Sequence, residues 1–300
     1  MKSSMLIVNP SSGKEKGTEY AKQALQVLEG TRYQVEVRLT TGEGDAMNFA
    51  REACDHKFDV VVAMGGDGTI NEAINGIAEQ KHRPVLGVIP LGTVNDFARA
   101  LSIPLDPEDA IDLISHQQTR KVDVGKINDK YFMNITAVGA LAEASFAVSA
   151  EQKTKLGPLA YIVEGLKTMK EKQPFDLQIN CEDGEGEWSG DALLMLIALT
   201  NSIGGFESLA PEAEVNDGKL HVFIIKDIAF HQFLSLLPKI VSGDLGESKH
   251  VEYLKVGAIT AFSSLDMTSN IDGDEGDRLP ITVKNLSRHL EVFVQPEVKE

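Results

Sequence analysis

The chain has 300 residues, 42% hydrophobic and 25% charged, an ordinary globular composition with room for one or two cores. Its formal charge of −16 excludes broad nucleic-acid binding, which needs a basic surface to displace counterions. No apolar run approaches the roughly 18 to 20 residues that span a bilayer; the longest, LLMLIAL at 193–199, suits a buried strand. The opening MKSSMLIVNPSSG turns polar after four apolar residues, which argues against a signal peptide. Cys54 and Cys181 are far apart and lack metal-ligand spacing, as expected of core or near-core residues in a reducing cytoplasm. Contact with anionic lipid would have to be local. The candidate patch is Lys153, Lys155, Lys167, Lys170 and Lys172, for which a solvated helix face is the plainer reading.

In chain order, residues 1–122 alternate short apolar runs with helical patterns, the signature of a largely parallel sheet with helices on its faces. MLIV (5–8) reads as the first strand, and Ala21, Ala24, Leu25 and Leu28 mark the apolar face of the helix that follows. YQVEVRL (33–39) alternates with period two, and Asp45 is placed to cap a helix carrying Ala46, Phe49, Ala50 and Ala53. DVVVAM (59–64) is a buried strand, Ile70, Ile74, Ile77 and Ala78 have helical spacing, and VLGVI (85–89) is a further strand. Asp106 caps a helix with Pro107 at its first position.

From residue 123 the pattern turns to strands joined by turn residues. KVDVGKI and KYFMNIT flank Asn128 and Asp129 as a hairpin. Helices are expected at about 155–172 and 229–242, with strands at 175–181, 191–199, 219–226, 251–257, 281–284 and 289–294. The expected organisation is therefore an α/β domain over 1–122, with 289–300 as a candidate return to it, and a strand-rich domain over 123–288. A cleft between the two is the natural ligand site.

The stretch AMGGDGTINEAIN (63–75) places Gly65, Gly66 and Gly68 between a buried strand and a helix. Glycines there permit positive φ and close approach of backbone amides to a ligand, and a helix amino terminus favours an anion. The spacing matches neither the dinucleotide fingerprint nor a Walker loop. A carboxylate among phosphates is repulsive unless it holds a cation or removes a proton, so Asp67 points to magnesium or base chemistry. A packing turn is the competing reading. NPSSGK (9–14) and PLGTVNDFAR (90–99) follow strands whose ends share the same sheet edge, which favours one nucleotide site. Asn9, Ser11, Thr93 and Asn95 can bond ribose or phosphate. Turn formation and helix capping is the alternative for each, and for Asn95 above all.

NPSSG, GGDGTINE and GTVNDFAR, in that order and at these separations, resemble the diacylglycerol kinase catalytic domain family of bacterial lipid kinases, a relative of the sphingosine kinases. The likeness continues through FMNITAVG (132–139), LGPLAY (156–161), APEAEVNDGKL (210–220) and NIDGDEGDRLP (270–280). It implies an NAD-kinase-like α/β nucleotide-binding domain followed by a β-sandwich-like domain, and transfer of the ATP γ-phosphate to a lipid hydroxyl with Mg2+. Diacylglycerol, giving phosphatidic acid, is the first acceptor by family. By resemblance Asn9, Pro10, Ser11, Ser12 and Gly13 line the nucleotide site, and Thr40 or Thr41 touches it. Gly66, Asp67, Gly68, Thr69, Asn71 and Glu72 hold phosphates and magnesium, with Gly65 preceding them; Thr93 adds a contact and Asp96 a supporting carboxylate.

The family's proton acceptor is a glutamate in DGE, whereas this chain reads DGDEG. Asp274 occupies the position counted back from Leu279-Pro280, with Glu275 the alternative one place on. The DGDEGD run fails the EF-hand pattern, and a solvated acidic hairpin is its plain reading. EVNDG resembles the family's structural magnesium site, with Asp217, Glu214 and the Lys219 carbonyl as implied ligands and Glu214 in place of an aspartate; a turn at Asp217-Gly218 is the competing reading. The family further implies a cytoplasmic enzyme that meets its lipid at the membrane surface, with a homodimer as one assembly. A soluble NAD kinase, sharing GGDGT, and a lipid-binding regulatory protein without catalysis are the rival readings.

Overall fold

The computed structural model describes residues 2–13, 17–139, 174–182, 186–202 and 209–296. The expected helix at 155–172, the lysine patch and LGPLAY lie outside the described residues. Contacts divide the chain into two units, Met1–Val124 with Arg288–Glu300, and Gly125–Ser287.

The first unit runs β1 (Lys2–Val8), α1 (Gly17–Gly30), β2 (Tyr33–Leu39), α2 (Asp45–Asp55), β3 (Val60–Gly65), α3 (Asp67–Ile77), β4 (Val85–Pro90), α4 (Asp96–Ala100) and α5 (Pro107–Ser115). The strands lie in the order β4-β3-β1-β2 and every pairing is parallel. Strands of such a sheet are covered on both faces, so they read as continuous apolar runs; Met5 to Val8 and Val61 to Met64 are fully buried. The chain crosses from β1 to β2 on one side, then places β3 and β4 on the other. The strand order therefore reverses between β1 and β3, and the crevice beyond the carboxyl ends at such a point is where open α/β sheets bind ligands.

The helices follow from caps and apolar faces. Asp106 accepts from the Glu108 and Asp109 amides at 2.9 and 3.4 Å and so caps α5, with Pro107 at its first position, as the sequence predicts. Asp45 behaves differently. Gly44 is the cap of α2, and Asp45 turns its carboxylate back to the Thr41 and Gly42 amides at 2.7 and 3.0 Å.

The second unit contains the β5–β6 hairpin, β5 (Thr119–Ile127) beginning in the first unit and β6 spanning Lys130–Phe132. It continues with β7 (Ile135–Gly139), β8 (Phe175–Cys181), β9 (Glu187–Ala198), β10 (Leu220–Lys226), α6 (Phe230–Leu234), α7 (Leu237–Ser242) and β11 (Val251–Val256). The last strands are β12 (Ala258–Phe262), β13 (Thr268–Ile271), β14 (Asp274–Arg278) and β15 (Ile281–Phe293). β9 serves two neighbourhoods. Its first half pairs with β8, and its second half with β7 and β10. Met195 and Ile197 join Ile179, Val222 and Ile259 in one buried cluster. The alternate residues Leu194 and Leu196 face a second cluster with Phe223, closed by Phe233, Leu236 and Leu245. LLMLIAL is apolar throughout because both faces of that strand are covered.

Four expectations are corrected. The helix at 229–242 is two short helices, broken at Ser235-Leu236 with Pro238 in the first turn of α7. KYFMNIT is two strands, interrupted at Met133-Asn134. β12, β13 and β14 were not expected as strands, and residues 281–293 form one strand where two were expected. Its start pairs with β12 in the second unit, and its Val292 pairs with Leu86 of β4 in the first.

Candidate active site

The loops after β1, β2, β3 and β4 all leave the same edge of the first-unit sheet, and side chains tie them together. The Asn9 amide donates to the Met64 carbonyl (2.9 Å), and the Thr40 amide to Val8 (2.9 Å). Asn9 Nδ2 donates to Thr69 Oγ1 (3.1 Å) while its Oδ1 accepts from the Ser11 amide and hydroxyl (3.1 and 2.7 Å), which folds Asn9 to Gly13 around the switch point. Gly65 must be glycine for packing: an added Cβ would lie 2.5 Å from the Thr69 side chain. Gly68 is the opposite case, because an added Cβ would meet nothing within 4 Å. Packing does not explain the missing side chain there, and the first-turn amides of α3 beside it are donors of the kind that receive an anion. The positive-φ expectation fails for this loop, since none of Gly65, Gly66 and Gly68 adopts it.

Asp67 opens α3, with Oδ2 accepting from the Asn95 amide and Oδ1 from the Asp96 amide, both at 2.9 Å. It thereby joins the glycine loop to the loop after β4 and caps the short α4. Burial pushes its carboxyl above the ordinary value and the charge of Asp96 adds to this, while the two amides oppose it. A carboxylate offers about four lone-pair sites, so each oxygen keeps capacity toward the crevice.

Several other candidates are committed to the frame. Asn95, in the left-handed conformation, accepts from the Gly92 amide (2.9 Å) and donates to the Gly92 carbonyl (3.0 Å), so it forms its own turn. Asn71 is engaged along α3 by Asn75 Nδ2, at 2.7 Å to its side-chain oxygen. Glu72 accepts from the Gly44 and Ala46 amides (2.9 and 3.1 Å) and holds the start of α2 against α3. That anchor, with Asp45 on Thr41 and Gly42, sets the Thr40-Thr41 loop beside the glycine loop. Pro10, Ser11 and Thr93 are exposed, while Ser12, Gly13 and Thr40 are half-buried. Neither the Asp45 anchor nor the Glu72 anchor was foreseen. The former had a signal, an Asp three residues after a Gly in a TGEGD turn.

In the second unit the acidic run is a hairpin. Asp272 and Gly273 form a two-residue turn with φ of +48° and +103°, the left-handed pair that Asp-Gly favours. Ile271 faces Asp274 across it, and Asn270 faces Glu275. Asp272 is the residue that sequence reasoning missed. Its carboxylate accepts from the Met133, Asn134 and Ile135 amides at 2.7, 3.0 and 2.9 Å, which is why KYFMNIT breaks there and how the hairpin is fastened to the start of β7. Asp274 and Glu275 are both exposed on β14. As strand neighbours they point to opposite faces, so one approach direction serves only one of them.

The EVNDG turn is held by protein groups. Asp217 Oδ1 accepts from the Lys219 amide (2.9 Å); Oδ2 accepts from His221 Nε2 (2.9 Å) and pairs with Lys255 Nζ (3.3 Å). The Lys219 carbonyl accepts from Asn285 Nδ2 (2.9 Å), and Glu214 is exposed. Among the described residues no group of three or more His, Cys, Asp or Glu gathers as a metal site. An ammonium already balances Asp217 in this turn. Burial pushes the His221 imidazole below its ordinary value, consistent with a neutral ring that donates from Nε2 to Asp217 and accepts the Tyr253 hydroxyl at Nδ1 (2.7 Å).

Comparison with known proteins accounts for both units. Residues 3–127 match the model of the diacylglycerol kinase catalytic domain, and residues 135–294 match the YegS C-terminal NAD kinase beta sandwich-like domain. The diacylglycerol kinase of Bacillus subtilis (strain 168) is 40% identical over 301 residues, covering 100% of this chain and 99% of its own length. That of Staphylococcus epidermidis (strain ATCC 12228 / FDA PCI 1200) is 39% identical over 297 residues, covering 99% and 93%. The crystal structure of a diacylglycerol kinase from Bacillus anthracis str. Sterne has a TM-score of 0.84 at 27% identity, with 99% of each chain covered. The sequence motifs, the α/β unit with its crevice loops and these full-length likenesses agree: the chain belongs to the diacylglycerol kinase family of lipid kinases.

Proposed function

We propose that this protein transfers the γ-phosphate of ATP to the hydroxyl of diacylglycerol, giving phosphatidic acid and ADP. The observation that supports it best is the welding of the glycine loop to the loop after β4 through Asp67, at the point where the first-unit strand order reverses. In this reading the first-turn amides of α3 and the hydroxyls of Ser11, Ser12, Thr40 or Thr41, Thr69 and Thr93 receive the phosphates and ribose. Asp67 and Asp96 fit the one or two carboxylates that hold magnesium together with substrate phosphates. When bound, that ion offsets phosphate charge. Asp274 takes the proton as the acceptor oxygen bonds to the γ-phosphorus and the bridging bond to ADP breaks. Aspartate is one methylene shorter than the family's glutamate and does the same chemistry when the hairpin brings it closer. Most of the rate comes from in-line placement, because phosphoryl transfer asks little covalent chemistry of the protein.

The reading places the protein in the cytoplasm with ATP, meeting its lipid transiently at the membrane surface. Among the described residues no helix is long and apolar enough to cross a membrane. The test is labelled ATP with mixed micelles of diacylglycerol, against NAD and against no acceptor. Labelled phosphatidic acid is expected. Label in NADP alone, or no transfer to any acceptor, contradicts the proposal.

A further inference from the structure

We propose that Asp277 is a positioning residue for Asp274, an inference that rests on reading Asp274 as the proton acceptor. Among the described residues β14 is an edge strand paired with β13 alone, and its run DEGDR carries no apolar side chain to seat it. Asp272 fastens the turn at one end of the strand. At the other end the hold is also polar. Asp277 Oδ2 accepts from Asn128 Nδ2 (2.8 Å), and Oδ1 pairs with Lys130 Nζ (3.3 Å), both from the β5–β6 hairpin. Asn128 Oδ1 in turn accepts the Thr282 amide (3.1 Å), and the Asn128 amide donates to the Thr282 carbonyl (3.0 Å). Asn128 thus grips both sides of the connection from β14 to β15.

The ladder shows why the strand needs a clamp at this point. Asp274 faces Ile271 and Glu275 faces Asn270, but Arg278 faces Thr268, so Gly276 and Asp277 together stand opposite Ser269. This is a β-bulge, which leaves one residue out of the ladder, bends the strand and re-aims the side chains around it. The Asp277 carbonyl accepts the Ser269 hydroxyl (2.8 Å) instead, and Gly276 packs so closely that an added Cβ would lie 2.3 Å from Ser269 Oγ and 2.7 Å from Ile271. The bulge begins two residues beyond the acceptor carboxylate and so sets its direction; the Asp277 clamp fixes the bulge. Stability is not what the clamp chiefly supplies. The Lys130 and Asp277 side chains are 49% and 33% exposed, and ion pairs that wet contribute little to folding. Placement is the larger matter, because moving a reacting group by about 1 Å can cost about 10²-fold in rate.

The test is initial-rate kinetics with labelled ATP and micellar diacylglycerol, alongside thermal melting, for Asp277→Ala alone and combined with Asp274→Asn. Asp277→Ala should lower kcat by about tenfold to a hundredfold while the KM for ATP and the melting temperature stay near wild type. In the Asp274→Asn background the same substitution should cost less than about twofold, because no acceptor carboxylate is left to position. Asn128→Asp sets two carboxylates against each other and should also slow the enzyme. Adding Asp277→Asn to it restores an amide–carboxylate pair and should recover most of the lost rate. A wild-type kcat in Asp277→Ala overturns the proposal. So does an equal loss with and without the Asp274 carboxylate, which would mark a general loosening of the second unit. No transfer by the wild type to any acceptor would defeat the kinase reading and the positioning role with it, whereas a wild-type rate in Asp277→Ala defeats the positioning alone, so the two failures are distinct.

Discussion

Asp67 and Asp274 are both acidic residues that open an element next to glycines, yet the structure treats them oppositely. Asp67 is half-buried, wrapped by two backbone amides and raised in pKa by desolvation. Asp274 is exposed on a hairpin whose anchoring belongs to Asp272, two residues earlier. In the proposed function one carboxylate therefore serves both frame and ligand, while on the other loop these duties are divided between two residues. Damage to chemistry and damage to the frame should separate in the second unit and coincide in the first.

The largest effects are expected at the two carboxylates, Asp274 and Asp67. Asp274→Asn should lower turnover by about 10²- to 10⁴-fold, the usual worth of a proton acceptor, with an unchanged melting temperature. Full activity in that variant, with loss on Glu275→Gln instead, would move the base to the neighbouring position. Asp67→Asn should abolish turnover and also loosen the frame, because its new amide group would face a backbone N–H. The cost is about 1–3 kcal/mol for the unsatisfied donor, visible as a lower melting temperature. Asp272→Asn should show the frame loss, again about 1–3 kcal/mol. Equal melting of the Asp272 and Asp274 variants would break the contrast.

Glu72→Gln comes next. It weakens the hold on the Gly44 and Ala46 amides by about 1 kcal/mol and should raise the KM for ATP more than it lowers kcat.

The smallest effect is on pH. A carboxyl whose folded pKa lies above its ordinary value of 3.8 adds stability at acid pH that is lost as pH rises through the folded value. The melting gap between wild type and Asp67→Asn should therefore narrow from pH 4 toward neutrality. The acid limb of kcat/KM should lie above pH 3.8, because the protonated acid cannot hold a cation.

The parallel sheet is legible in the sequence because strands covered on both faces leave unbroken apolar runs such as LIV and VVVAM, and because the helices between them carry periodic alanines and leucines. β14 is hidden because an exposed edge strand written DEGDR has no apolar alternation to read. The break in the helix at 229–242 could have been read from Pro238. The glycine loop, its partner loops and the acidic hairpin are all visible as motifs. The hydrogen bonds that rank their members are not, because each spans a long sequence separation: Asp67 to Asn95 and Asp96, Glu72 to Gly44 and Ala46, Asp272 to Met133, Asn134 and Ile135. A motif names the residues; only the fold shows which backbone donors they face.

The measurement that bears most directly on the glycine loop as a phosphate cradle is ATP binding, alongside thermal melting, of Gly68→Ala. An added methyl meets no protein atom within 4 Å, and alanine favours a helix over glycine by up to about 1 kcal/mol. A melting temperature equal to or above wild type is expected, with ATP affinity reduced by tenfold or more. Wild-type ATP affinity in a variant that folds equally well would contradict it.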